Sequence, residues 1–178
     1  MTEITALSAT TLRLRHEELG VLLLDVVREG ASLGFLGDLD LPQAAAWWEC
    51  RIPETADGTL ALWIAQDASG RAVGTAGLRR ATKPNGRHRA EVCTVMVHPE
   101  ARRTGVARAL LAAVESGARE DGVTLLHLDT ETDSGAEPLY AAAGYTEVGT
   151  IPDYATDPEG RLRPTTLFYK RLDPDPVS

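Results

Sequence analysis

A chain of 178 residues, 43% of them apolar, can bury one sizeable core and is short for two, so a single domain over residues 1–178 with a frayed tail at 173–178 is expected. The formal net charge of −8 argues against a nucleic-acid partner or an anionic membrane surface, both of which select for basic patches. No apolar run approaches a membrane span, Met1 to Thr11 lacks the basic start and apolar core of a signal peptide, and Cys50 and Cys93 stand far apart without a metal-ligand neighbour. The expectation is a cytoplasmic protein with reduced thiols and no metal.

In chain order, Thr10 to Leu14 reads as a short strand, followed by a helix whose apolar face is Leu19, Leu22, Leu23, Val26 and Val27 and which ends near Gly30. Gly30 to Gly37 is a glycine-punctuated apolar loop, and a second helix carrying Trp47 and Trp48 runs from about Leu41 to Arg51. Leu60 to Gln66 and Val73 to Leu78 form a hairpin about Asp67 to Arg71, where Gly70 supplies the turn. Lys83 to Arg87 is a further turn into the strand from Glu91 to Val97, which His98-Pro99 stops. A helix starts near Thr104 or Gly105, marked by Val106, Ala109, Leu110, Ala113 and Val114. Val123 to Asp129 is a buried strand that should lie parallel to the Glu91 strand. A short helix from Gly135 to Ala143 and strands Thr146 to Ile151 and Thr165 to Leu172 complete the chain, with a long loop from Pro152 to Arg163 between those strands.

The turn between Val97 and Val106 is an anion site. The first N–H groups of a helix lack internal partners and sit at the positive end of its dipole, and Gly105 lets a ligand approach without a Cβ in the way. Arg102 and Arg103 add charge, so the favoured ligand carries phosphates. Neither a Walker P-loop nor a dinucleotide fingerprint fits, because the glycines those motifs need are absent.

Arg102-x-x-Gly105-x-Ala107 after an apolar strand resembles the pyrophosphate signature of the GNAT superfamily of acetyl-coenzyme A-dependent N-acetyltransferases, and the element order agrees over nearly the full length. Tyr140-Ala-Ala-Ala-Gly144-Tyr145 resembles the family's second signature. A closer likeness is to the tabtoxin-resistance type, carried by Gly-Ala-Ser-x-Gly-Phe at 30–35, Arg-Ala-Glu at 89–91, Leu-Asp-Thr at 128–130, Pro-Asp-Tyr-Ala at 152–155 and Phe-Tyr-Lys at 168–170. Where many GNAT proteins carry an asparagine before the tyrosine helix, this chain has Ser134-Gly135.

The resemblance implies an α/β (α+β) GNAT fold: a mixed, mostly antiparallel sheet of about seven strands, helices on both faces, and one parallel pair forming the cofactor cleft. It places acetyl-CoA, with no metal, against Val95, Met96 and Val97, along Arg102, Arg103, Thr104, Gly105, Val106, Ala107 and Arg108, and near Ser134 and Glu137. Acetyl transfer to an amine needs a base, an oxyanion site and an acid. The carboxylates Glu91 and Asp129, at the parting of two parallel strands, are the candidate bases, left unranked; backbone N–H groups of Val95 to Val97 are the oxyanion donors; Tyr140 is the acid. Cys93 has no basic neighbour to activate it and reads as core filler.

The acceptor is expected to be a small amine, amino-acid-like or an antibiotic or toxin, held between the Gly30–Gly37 and Pro152–Arg163 loops by Phe35, Leu36, Trp47, Asp153 and Tyr154. An acceptor carboxylate would be met by Arg79, Arg161 or Arg163. A protein or peptide acceptor, a catalytically silent acyl-CoA-binding domain, and an interaction module using the Trp47-Trp48 helix are the alternatives. A two-fold homodimer is expected, built on an exposed final strand, Thr165 to Leu172, with Lys170 and Arg171 guarding its edge.

Overall fold

The computed structural model describes residues 2–172. β1 (Glu3–Leu7) leads into α1 (Ala9–Arg28), α2 (Leu41–Glu49), α3 (Ile52–Ala56), β2 (Leu60–Gln66), β3 (Ala72–Arg80), β4 (Arg89–Val97), α4 (Val106–Glu120), β5 (Leu125–Glu131), α5 (Glu137–Ala142), β6 (Thr146–Thr156) and β7 (Leu162–Arg171). The second expected helix, from about Leu41 to Arg51, is α2, and a short α3 that was not expected follows it. Pro53 lacks the N–H that would carry α2 on by bonding the Glu49 carbonyl, so α2 stops at Glu49 and α3 starts afresh with proline in its first turn.

The strand expected over Thr10 to Leu14 is instead the start of α1, and the true first strand lies earlier, at Glu3–Leu7. Alternation would put Leu12 and Leu14 on one face; they are 0% and 80% exposed, which helical spacing explains. Ser8 sets the boundary, its side chain accepting from the Thr11 N–H as an N-cap.

The strands form one seven-stranded sheet in the order β1-β2-β3-β4-β5-β7-β6. Every pairing is antiparallel except β4 with β5, the expected parallel pair. Helices cover both faces and define two cores. On one face Leu110, Leu111 and Val114 of α4 pack with Leu78, Leu126, Tyr140 and Phe168; on the other Leu19, Leu23 and Val27 of α1 pack with Trp48, Leu62 and Ile64. Close approach on the first face requires Gly117, where a Cβ would come within 2.5 Å of the Trp63 ring.

Two expectations about the end of the chain are corrected. β7 is not an edge: it lies between β5 and β6, and β6 holds the edge, so the stated ground for a dimer through β7 is gone. Lys170 does not guard an edge either, since its ammonium binds Glu115 and the Ala143 carbonyl inside the fold. The Pro152–Arg163 segment is mostly strand, because β6 runs on to Thr156 and turns at Asp157–Arg161. Proline and aspartate suggested a loop; a register shift between Ile151 and Ala155 instead absorbs them, with Asp153 at φ 51°.

Candidate active site

Register creates the cleft. β4 pairs with β5 only from Arg89 to Glu91, opposite Leu125 to His127, and beyond Glu91 the two strands part. On its other side β4 stays bonded to β3, with a bulge: Thr75 faces Met96 but Gly77 faces Cys93. Thr94 sits in that bulge at φ 55°, a costly conformation for a β-branched residue. The buried Thr75 hydroxyl donates to the Thr94 carbonyl at 2.9 Å and helps hold it there. The bulge and the splay leave the β5-facing edge of β4 at Val95 to Val97 without a partner strand.

At the end of β4 the chain turns through Arg102 to Gly105 into α4. Arg103 and Gly105 both have positive φ, 61° and 91°, and Gly105 serves as the helix N-cap without a side chain to satisfy the first N–H groups. No heavy atom would lie within 4 Å of a Cβ at Gly105, so the space in front of the helix start is open. Arg102, the unpaired edge of Val95, Met96 and Val97, and Ala107 line a cavity of about 370 Å³, joined by Ser134 and Leu139. Arg103, Thr104 and Arg108 are exposed around that turn, Thr104 donating to the Ala101 carbonyl at 2.7 Å. The Val106 side chain is buried in the core, leaving its backbone at the helix start. Glu137 does not line the cavity; it accepts from the Asp133 N–H at 3.2 Å.

A second cavity, of about 530 Å³, opens across the same cleft. It is lined by Glu91, Cys93, Thr94, Asp129, Glu131, Tyr140, Trp47, Tyr154, Arg51 and Arg79. The expected wall is met in part. Trp47 and Tyr154 line it, and Phe35 stands behind Trp47 in an edge contact with ring centroids 5.4 Å apart. Leu36 and Asp153 do not line it. Of the arginines proposed for an acceptor carboxylate, Arg161 is tied to Asp157 and Glu159, and Arg163 to Glu131; Arg79 does line the cavity. Arg51 went unnoticed in the sequence, although it follows Trp47 by four positions, the spacing of neighbours on a helix surface.

The two cavities share a rim formed by Ser32, Leu33, Val95, Met96, Thr130, Glu131 and Tyr140. Glu131 is paired with Arg163 at 3.1 Å, which leaves Tyr140 as the rim's titratable group without an ion-pair partner among the described residues. Tyr140 is 5% exposed, packed between Tyr145 and Phe168, and its phenol is pushed up to about 12, by burial first and then by the charge of Asp129. Asp129 makes no ion pair among the described residues; burial raises its carboxyl above the usual range against the weaker pull of His127. Glu91 lies 4.0 Å from Arg79, which also holds Glu54 at 3.5 Å. Burial likewise raises the Cys93 thiol, which removes it as a nucleophile and agrees with its reading as filler.

A model of the acetyltransferase (GNAT) family matches residues 25–145. The chain belongs to the GNAT acetyltransferase family. Among solved structures it is similar to a ribosomal-protein-alanine N-acetyltransferase from Brucella melitensis, at 26% identity and a TM-score of 0.73, covering 96% of this chain and 99% of that one. It shares its fold with a GCN5-related N-acetyltransferase from Kribbella flavida, at 22% identity and a TM-score of 0.75 over 96% and 98% of the chains. The yncA protein of Salmonella typhimurium, solved with its cofactor acetyl-CoA, has the same fold at 20% identity and a TM-score of 0.73, over 100% and 98%. Acetyl-CoA as cosubstrate suits the residues here: an open helix start beside Arg102 for phosphates, then a cavity along an unpaired strand edge that leads to Tyr140.

Proposed function

We propose that this protein transfers the acetyl group of acetyl-CoA to the nitrogen of a small amine bound in the second cavity. The observation that carries the reading is the shared rim: Tyr140 borders both the cofactor-side and the acceptor-side cavities. The free thiols of Cys50 and Cys93 support a reducing, cytoplasmic setting.

Acetyl-CoA supplies the thioester. Arg102 and the first N–H groups of α4 receive its phosphates, and the free edge of β4 at Val95 to Val97 donates to the carbonyl oxygen where negative charge develops. Asp129 takes the proton of the acceptor ammonium, directly or through water, so that the nitrogen can form the new C–N bond. Tyr140 gives its proton to the sulfur as the C–S bond breaks. A phenol pushed up to about 12 is protonated at neutral pH, so the donor form is the one present when the C–S bond breaks. We assign the base to Asp129 rather than Glu91 because Asp129 has no ion-pair partner among the described residues and a raised carboxyl pKa, whereas Glu91 has Arg79 beside it.

The likeness to the tabtoxin-resistance type favours an amino-acid-like acceptor, and the runs that carry it meet around the acceptor cavity: Ser32, Gly34, Glu91, Asp129, Thr130, Tyr154 and Ala155 all line it. A protein amino terminus is the second reading, favoured by the 26% identity to the ribosomal-protein-alanine enzyme.

Free-thiol release from acetyl-CoA, measured with a panel of small amines and unstructured peptides, tests the activity; release with none of them would sink it. Cofactor placement is tested by Gly105→Asp. Aspartate tolerates left-handed backbone better than most residues, so the fold should survive while a negative charge faces the phosphates. Calorimetry should find coenzyme A affinity reduced by about tenfold or more, the equivalent of about 1.4 kcal/mol. Undiminished affinity in a folded variant would refute the placement.

Tyr140→Phe keeps the packing and removes the hydroxyl. A loss in kcat of roughly 10²-fold or more is expected, with little change in Tm. Turnover at the parental rate would reduce Tyr140 to a packing role.

A further inference from the structure

The acceptor cavity contains a half-buried cation, Arg51. Arg51 is half-buried at the junction of α2 and α3 and makes no ion pair among the described residues, in a chain whose acidic side chains outnumber its basic ones 26 to 18. One Nη donates to the Trp47 carbonyl at 2.8 Å, and the guanidinium lies over the Trp47 ring at 3.2 Å from the centroid. Its Nε is buried with no acceptor. Glu54, the carboxylate that would serve it, is held by Arg79 at 3.5 Å, and Arg79 also lines the cavity.

Leaving a guanidinium half-buried, short of acceptors and next to a second cation is costly unless something else needs it there. Burial first and then the charge of Arg79 act against the Arg51 cation, with a weaker opposing pull from Glu54. Placement is rigid as well as charged: Phe35 backs Trp47, Trp47 packs edge-on against the fully buried Trp48, and Arg51 rests on Trp47. A planar fork fixed in this way suits a carboxylate. Across the sheet the lining charges are ordered. Arg79 on β3 stands on one side, Glu91 on β4 is partly neutralised by it, and Asp129 on β5 stands on the other. Such a cavity has a positive and a negative end.

We propose that the acceptor carries a carboxylate or an equivalent small oxyanion besides its amine, and that Arg51, seated on Trp47 and flanked by Arg79, receives it while the amine points to Asp129. The assignment rests on the acetyltransferase reading and narrows its substrate to small zwitterions of the amino-acid type. It gives Trp47 a role as the platform of an anion clamp.

The test is thiol release from saturating acetyl-CoA by the full chain with three matched sets: free L-amino acids, their C-terminal amides, and the corresponding amines lacking the carboxyl, with short unstructured peptides as a fourth arm. At least one free amino acid should exceed its amide and its decarboxylated amine in kcat/KM by roughly tenfold or more, the scale of a lost charge-assisted contact. In Arg51→Gln and Arg51→Lys that preference should shrink by a similar factor, chiefly through KM, in variants whose coenzyme A binding shows that they are folded. Equal turnover of acid and amide by the parent protein, a preference unchanged in both variants, or peptides as the best acceptors would overturn the proposal while leaving acetyl transfer in place. Silence with every amine would instead overturn the acetyltransferase reading, and this proposal with it.

Discussion

In Asp129→Asn, kcat is expected to fall by roughly 10²- to 10⁴-fold, the usual contribution of a positioned general base. The pH profile makes the assignment specific. Burial raises the folded-state pKa of Asp129, so the base loses its active, ionised form as pH falls through a value above the ordinary carboxylate range, and the parent protein should show that acid limb in kcat/KM. In the asparagine variant the limb should disappear from the residual activity. Stability moves the other way. A carboxyl whose folded pKa is raised favours folding below its unfolded pKa and loses that contribution as pH rises through the folded pKa, so at neutral pH the ionised Asp129 works against the fold. Asparagine at this site should therefore raise Tm slightly at neutral pH and bring no such gain in acid. Glu91→Gln should cost less, because that carboxylate already faces Arg79 at 4.0 Å and is less free to meet the acceptor ammonium. A large loss in Glu91→Gln with near-parental turnover in Asp129→Asn would transfer the base to Glu91.

What could be read from the sequence divides along physical lines. β2, β4, α4 and β5 were legible because their apolar periods are long and their ends are marked by proline, glycine or a polar turn. The cofactor turn was legible for a different reason: a helix start needs anions whatever the rest of the chain does, and Gly105 and Arg102 are local. Thr10 to Leu14 misled because five residues with β-branched threonines satisfy a strand pattern, while the deciding fact, the Ser8 cap, lies before them. Pro152 to Arg163 misled because polar, proline-bearing sequence reads as loop, and only pairing with β7 across the Asp157–Arg161 turn makes it strand. The acceptor cavity was least legible of all. Asp129, Tyr154 and Arg79 were named for it through the resemblance and their charge, but Arg51, between α2 and α3, was not, and no spacing along the chain says that these four residues meet.

Strain marks the site in a way composition cannot. Four non-glycine residues among those described have positive φ: Thr94 in the β4 bulge, Arg103 in the cofactor turn, Asp133 between β5 and α5, and Asp153 in the β6 bulge. Thr94 lines the acceptor cavity and the other three each adjoin a lining residue, Arg102, Ser134 or Tyr154; the cost is greatest for β-branched Thr94, about 1–3 kcal/mol that the surrounding structure must offset. Thr94 shows how: its carbonyl is fixed by the buried Thr75 hydroxyl, and the free strand edge begins next to it.

Lys170→Met is the substitution expected to cost most in stability. The Lys170 ammonium lies 2.7 Å from a Glu115 oxygen and 2.6 Å from the Ala143 carbonyl, and the two side chains are 19% and 10% exposed. Removing one partner of a buried pair leaves the other charge without compensation and typically costs about 3–5 kcal/mol. Arg119, at 3.7 Å from Glu115, offsets part of that loss, so a value near about 3 kcal/mol is expected, or a fall in Tm of roughly 6–12 °C for a chain of this size. If the cost is the stranded carboxylate, Glu115→Leu in the Lys170→Met background should recover most of it, since a well-packed apolar pair is often as stable as a buried ionic one. The position of this pair ties stability to catalysis. Glu115 is on α4, which opens at the phosphate turn; Ala143 caps α5, which carries Tyr140; Lys170 on β7 joins them. Lys170→Met should therefore lower kcat as well, and below its reduced Tm the double variant should keep part of that kcat defect while regaining stability, because no apolar side chain can bond the Ala143 carbonyl. Full recovery of both would mean that the pair serves folding alone, and an unchanged Tm in Lys170→Met would mean that the pair contributes nothing.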